Sequence, residues 1–336
     1  MAKEAIVAAD PKKKRLRSQI LVVAILAAVY VVCHFLTGGR LLSAANLKSL
    51  LLQIAYPMML STGMVFIFAG GMIDLSIGSQ MILAANVGAI LVENVVLKKF
   101  DGTGATALGY VALICGTIIV MVICESLSAS CSVFLGIPAW VAGLGCALVF
   151  EAVAVLIVGK ATSGTAVMYL RHCNFLGTFP WMFILAILVV IVAWFVFNRT
   201  TLGFNLRAIG GGGEVAEAMG INRKKTIMGA AIVGAVIIGI AAISQISYQT
   251  RYTVTSGMGS LSTIFKALGI VLISGSFARI FNDIVGCVVG SFIIGGLFNT
   301  LTLFGIPSGT GQDVAQGAIV LLCGILSAIG FKGVQK

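Results

Sequence analysis

The sequence is a succession of apolar runs, each about as long as a bilayer is thick, separated by short polar breaks. A helix needs roughly 20 apolar residues to cross a hydrocarbon core. Ten runs meet that need, at about 18–36, 47–69, 75–97, 106–128, 133–158, 180–197, 226–247, 260–278, 284–304 and 313–331. With 59% hydrophobic and only 10% charged residues, the chain lacks the roughly 25% charge with which a water-soluble globule covers its surface. The short alternating strands of a transmembrane barrel are not visible either. The expected fold class is an all-α polytopic membrane protein of about ten transmembrane helices, with broken or re-entrant segments. One transmembrane domain covers 18–331, between a basic tail over 1–17 and a short tail over 332–336.

Lys and Arg hold loops on the cytoplasmic side of a membrane. About twice as many of them fall on the side of the N-terminus as on the other, which predicts that both termini are cytoplasmic. The net charge of +11 is therefore a matter of topology. No basic stripe is interleaved with aromatics, so no nucleic acid is expected as a partner. The N-terminus has the basic start of a secretory signal, but its apolar run is long and further spans follow, so it reads as an uncleaved first helix. Eight scattered cysteines without a C-x-x-C pair, and only two histidines, predict no metal site and no disulfide framework. Gly286 and Gly290 in one run, and Gly229, Gly234 and Gly239 in another, have the spacing that lets helices approach closely in lipid.

Two stretches break the apolar pattern informatively. The first is "AGGMIDLSIGSQM", residues 69–81. Gly70 and Gly71 suit a helix end, and Asp74 is placed to cap the next helix by accepting from the amide of Ser76 or Ile77. Irregular backbone at membrane depth is tolerated only where protein buries it or a cavity hydrates it. Polar side chains inside spans are costly and face a bundle interior or a cavity. Asp74, Ser76, Gly78, Ser79, Gln80 and Asn86 are thus candidates for the helix break or for a solute pathway, and Ser79 and Asn86 share a helical face. Ser291, Asn299 and Thr302 are similar candidates in the ninth run. Each of these side chains also has a plain structural reading, an interhelical hydrogen bond. Glu125 and Glu151 are expected near span ends in structural roles, and Glu93 near the outer face. The eighth run carries Lys266 and is a candidate re-entrant segment.

The second is the polar, basic, glycine-rich loop over 198–225. Gly210 to Gly213 oppose a helix, whereas "EVAEAM" favours one and Gly220 is a natural C′ stop. Glu214 and Glu217 stand near the positive start of that helix, and Arg223, Lys224 and Lys225 follow its end. So short a helix is unstable alone and has to dock on its own bundle or on a partner. The chain has no G-x-x-x-x-G-K-[ST] phosphate loop. A G-x-G-x-x-A at Gly211, Gly213 and Ala216 follows no strand.

The run "TTLGFNLRAIGGGGEVAEAMGI", 200–221, resembles the cytoplasmic loop of ATP-binding-cassette permeases, most nearly the ribose and galactose group of the branched-chain amino acid/sugar permease superfamily. Glu214, Ala216, Gly220 and Ile221 fall on the group's E-A-A-x-x-x-G-I core, with Val215, Gly212 and Asn205 as departures. Gly70, Gly71, Asp74, Leu75, Ser76 and Gly78 match its G-G-I-D-L-S-V-G signature, with Met72 as an extra residue. The string "FLGIPAWVAGLGCALVFEAVA" fits as well. The resemblance implies the permease subunit of an importer in the bacterial inner membrane, not itself an enzyme. It would carry a monosaccharide such as ribose, galactose or xylose. It further implies coupling to a separate ATPase through Gly213, Glu214, Ala216, Glu217, Gly220 and Ile221. ATP and Mg would sit on that partner, with no cofactor in this chain. The remaining implied partners are an extracytoplasmic solute-binding protein and a second permease copy or paralogue. From 257 to 290 the chain departs from the group, with Lys266, Arg279 and Asp283 inserted. Other solutes open to this reading are an autoinducer furanone, a nucleoside or a branched-chain amino acid. An ion-coupled secondary transporter using Asp74 is a rival.

Overall fold

The computed structural model describes residues 11–100, 103–278 and 280–306, and scattered positions between 311 and 325. Both tails (apart from residues 11–17), Arg279 and most of the tenth run lie outside the described residues. The long helices are α1 (Pro11–Leu36), α2 (Ala44–Phe68), α3 (Ile77–Ile90), α5 (Thr103–Leu135), α6 (Ala139–Ala161), α7 (Trp181–Arg199), α10 (Arg223–Gln249) and α12 (Asp283–Leu303). A π-turn over Leu91–Val96 carries α3 into the short α4 (Leu97–Lys99). Two small helices, α8 (Thr201–Gly211) and α9 (Gly213–Ala218), form the polar loop, and α11 covers Leu261–Ser276. Among the described residues eight helices are long and apolar enough to cross a membrane, and α11 is a shorter apolar helix. The chain is a nearly all-α polytopic membrane protein.

Two features differ from the sequence expectation. Helix α5 runs on to Leu135 instead of stopping near 128, so Glu125 and Ser128 fall well inside it. Glu151 likewise lies in the interior of α6. The other difference is a two-stranded ribbon, with β1 (Val167–Tyr169) antiparallel to β2 (Arg251–Thr253) and Met168 opposite Tyr252. Both of those side chains are buried, so the ribbon closes over the end of the bundle.

The centre is α2, packed by α10, α12, α7 and α11. Its crossing with α10 is a backbone-to-backbone contact. A Cβ at Gly63 would stand 2.6 Å from Ile238 Cγ1 and 3.1 Å from the carbonyl of Gly234, and a Cβ at Gly234 would stand 3.0 Å from the carbonyl of Gly63. Phe66 of α2 meets Phe197 of α7 edge-on at 5.4 Å. The glycines with helical spacing serve several neighbours: Gly229 faces Leu202, Gly234 faces α2, Gly239 faces Ile118 of α5, and Gly290 faces Ile270 of α11. Helix α1 stays at the periphery. It is tied to the bundle by Gln19 donating to the carbonyl of Ile280 at 2.7 Å and by Tyr30 donating to that of Phe292 at 2.7 Å.

Because α2 and α10 touch through glycine, Gly63→Leu is expected to destabilise the bundle by about 2 kcal/mol or more. Gly145→Leu, where nothing lies within 4 Å, should leave thermal unfolding in detergent unchanged.

Candidate functional site: a polar cavity beside two interrupted helices

The helix break over 69–76 forms as its residue types dictate. Gly71 takes φ +81°, a conformation that L side chains resist, and turns the chain out of α2. Asp74 then accepts from the amide and hydroxyl of Ser76, both at 2.7 Å on Oδ1, and from the hydroxyl of Ser128 at 2.5 Å on Oδ2. The carboxamide of Gln80 donates to Asp74 Oδ2 at 3.4 Å and to Ser76 Oγ at 2.7 Å. Asp74, Ser76, Gln80 and Ser128 are all buried. Gly70 rests on Leu206 of α8 and Ile227 of α10, so the break sits at the same end of the bundle as the polar loop.

A second helix also begins inside the protein. After β2 the chain passes through Gly257 and Met258, both left-handed at φ +71° and +66°, and α11 starts at Leu261. Two amides on the approach to it are taken by a single side chain: Glu151 of α6, 1% exposed, accepts from Met258 N and Ser260 N at 2.8 Å each. Orphan amides at a helix start need such acceptors. The two starts touch, since a Cβ at Gly78 would run into the Ser260 carbonyl. Glycine is required there by contact, not by φ.

Beside this junction lies a cavity of about 890 Å³, bounded by α2, α10, β2, the 255–259 segment, α11 and α12. Its wall carries the carboxamides Gln53, Gln245, Gln249 and Gln312, the aromatic rings of Tyr56, Tyr248 and Tyr252, and the cations Arg251 and Lys266. Hydroxyls of Thr253, Thr255, Ser262, Thr263 and Thr302 complete the polar lining. The ammonium of Lys266 stands 4.5 Å from the centre of the Phe298 ring. Pro57 cannot supply the amide that the Gln53 carbonyl would accept in a regular helix, and both residues are on the wall.

Of the residues singled out from sequence, Thr302 lines this cavity, whereas Asp74, Ser76, Ser79, Asn86 and Asn299 do not. Ser79 donates to the Ser76 carbonyl at 2.7 Å and Asn86 to that of Ile82 at 2.7 Å. Asn299 accepts from Asn46 at 2.8 Å, and Ser291 donates to the Cys287 carbonyl at 2.6 Å. Glu93 holds the far connection, accepting from the amides of Arg171 and His172 at 2.8 and 2.9 Å. The glutamines of the wall were open to sequence reasoning as uncharged polar residues inside apolar helices, with Gln245 and Gln249 one turn apart. Glu151 was not, since its partners are 107 and 109 residues away.

At the loop end, Thr200 caps α8 by accepting from Gly203 N at 3.4 Å. Contrary to the expectation for a four-glycine run, α8 includes Gly210 and Gly211, and only Gly212 breaks it. Helix α9 ends in a Schellman pair, Ile221 N to Ala216 O at 3.1 Å and Gly220 N to Glu217 O at 2.9 Å, with Gly220 at φ +86°. Gly213 opens α9, and Glu214 and Glu217 are exposed on it. Ala216 is turned inward, 1% exposed, so it packs on its own chain; Phe204, Val215 and Met219 are the apolar side chains facing out, each more than 60% exposed.

Removal of the Glu151 carboxylate leaves two buried amides unpaired, at about 1–3 kcal/mol each. Glu151→Ala should therefore lower the unfolding temperature of the purified protein more than Glu151→Gln, which keeps one acceptor oxygen. Equal melting of both variants and the unsubstituted chain would refute the role given to this carboxylate.

Residues 46–324 match the family described as branched-chain amino acid transport system / permease component. The chain is 28% identical over 330 residues to a galactose/methyl galactoside import permease of Treponema pallidum, covering 90% of this chain and 60% of that protein. It is 26% identical over 362 residues to the xylose transport system permease of Escherichia coli, covering 92% and 91%. It is 24% identical over 286 residues to the ribose import permease of Escherichia coli, covering 82% and 84%. No solved structure matches the chain. With eight apolar helices of spanning length among the described residues, it is a multi-pass protein of the bacterial inner membrane. The match covers most of the sequence, and the chain belongs to the family of branched-chain amino acid transport system permease components.

Proposed function

We propose that the chain is the permease subunit of an ATP-binding-cassette importer and that its cavity passes a monosaccharide. The observation that carries this reading is the chemistry of the cavity wall. Carboxamides both donate and accept, as each sugar hydroxyl does, and aromatic faces suit the apolar face of a pyranose or furanose ring. Four Gln and three Tyr side chains on one wall supply both kinds of contact. The names of the galactose, xylose and ribose relatives support the same solute class.

Energy enters from outside the chain in this reading. A separate ATPase, with its own ATP and Mg, docks on the end that carries α8 and α9, which is the cytoplasmic end. An extracytoplasmic binding protein delivers solute at the end that carries the β1–β2 ribbon, and a second permease copy or paralogue completes the pathway. The sequence expectation placed the ATPase coupling on Gly213, Glu214, Ala216, Glu217, Gly220 and Ile221, of which Ala216 is turned inward. The exposed set Phe204, Val215 and Met219 is better suited to it, with Ala216 and Gly220 shaping the helix that presents these side chains. Closure of the ATPase would then move α8, α9 and the helices joined to them as a body.

The test is uptake by proteoliposomes holding the chain with its ATPase and binding protein. ATP-dependent uptake of galactose, xylose or ribose is the expected result. Met219→Asp should reduce solute-stimulated ATP hydrolysis at least about tenfold while leaving insertion intact, as expected when an interface anchor is lost. Uptake by the chain alone, driven by an ion gradient, would instead establish a secondary transporter.

A further inference from the structure

The cluster around Asp74 contains a second carboxylate. Glu125 of α5 is fully buried, and its carboxyl lies against Asp74 and the Gln80 carboxamide. Neither Glu125 oxygen accepts a hydrogen bond from a described residue, and Gln80 Oε1, also fully buried, accepts none.

The placement of the donors explains this. The cluster's donors are the amide and hydroxyl of Ser76, the hydroxyl of Ser128 and the two protons of Gln80 Nε2. All of them point to Asp74 or to Ser76 Oγ. Asp74 is therefore satisfied as an anion, with four donors on its two oxygens. Turning the Gln80 amide over would aim its oxygen at that anion. Three buried acceptor atoms remain, and none of these donors is left for them. Among the described residues no Lys, Arg or His is paired with either acid. A second buried anion beside the first would also cost several kcal/mol without such a pair.

The missing component has to fit into almost no space. Asp74, Gln80, Glu125 and Ser128 are 2% exposed or less, and a Cβ on Gly143 of α6 would come within 2.7 Å of Asp74 Oδ1 and Leu75 N. An ion with even a partial shell needs volume; a proton needs none. We propose that Glu125 is a proton-binding site: it stands in the folded protein as a neutral carboxylic acid whose O–H donates to Gln80 Oε1, so that Asp74 and Glu125 together carry one negative charge. The proton supplies the donor that the cluster lacks and knits α5 to the helix break and to α3. The other titratable groups nearby are the thiols of Cys124 and Cys131 on α5 and Cys146 on α6.

Infrared spectroscopy of the purified chain in lipid nanodiscs at neutral pH tests the assignment, since acid and carboxylate forms absorb in separate regions. Subtracting the Glu125→Gln spectrum from that of the unsubstituted chain should reveal the loss of one carboxylic acid C=O band. Loss of a carboxylate band instead would overturn the proposal, and so would a carboxylate band that appears only in sodium, which would mark a cation site. Glutamate labelled with carbon-13 gives the same reading without a variant. Glu93 and Glu151 each accept from two backbone amides and Glu214 and Glu217 are exposed, so in a Glu4→Gln background, which removes the sixth glutamate of the sequence, an isotope-shifted acid band belongs to Glu125. Its absence would also refute the proposal.

Discussion

Two helices of this protein begin inside the bundle, and each start depends on one buried carboxylate. Helix starts leave free amides, and in a setting without water each unpaired one costs several kcal/mol. Asp74 takes the amide of Ser76 at the start of α3; Glu151 takes those of Met258 and Ser260 at the start of α11. The starts are in contact through Gly78 and the Ser260 carbonyl. Loss of either acid would therefore be felt at both, and the position of the cavity wall over 251–266 would follow.

This arrangement separates two tasks that buried polar residues perform in a membrane protein. The acids hold backbone. The cavity is lined by carboxamides, hydroxyls and rings that carry no negative charge among its named wall residues. Neutral polar groups exchange hydrogen bonds with a polyhydroxylated solute without trapping it, which suits a pathway that must release what it admits. Arg251 stands on β2 and Lys266 on α11, the latter within the 257–290 stretch where the sequence departs from the sugar-permease pattern.

Much of this could be read from the residues, for identifiable reasons. Gly-Gly followed by Asp in an apolar surround marks a helix break, and Asp74 accepts from Ser76 as the spacing implies, although Ser76 and not Asp74 stands at the cap position of α3. Gly220 stops α9 because nearest-neighbour chemistry governs a helix end. Eight of the ten runs emerged from hydropathy as helices of spanning length among the described residues, whereas the eighth run forms the shorter α11. What stayed hidden is long-range: Glu151 meets its amides across more than a hundred residues, Glu125 meets Asp74 across two helices, and the β1–β2 ribbon joins segments far apart in sequence. The fate of Ala216 was also hidden, because a small residue on a short helix suits an inward contact as well as an outward one.

The most direct test of the central claim is site-resolved hydrogen exchange on the unsubstituted protein in lipid nanodiscs. Ser76, Met258 and Ser260 precede their helices, where amides normally exchange fast. If the carboxylates of Asp74 and Glu151 hold them, these three amides exchange as slowly as the interior of α2. Exchange as fast as that of the exposed loop helices α8 and α9 would contradict the account.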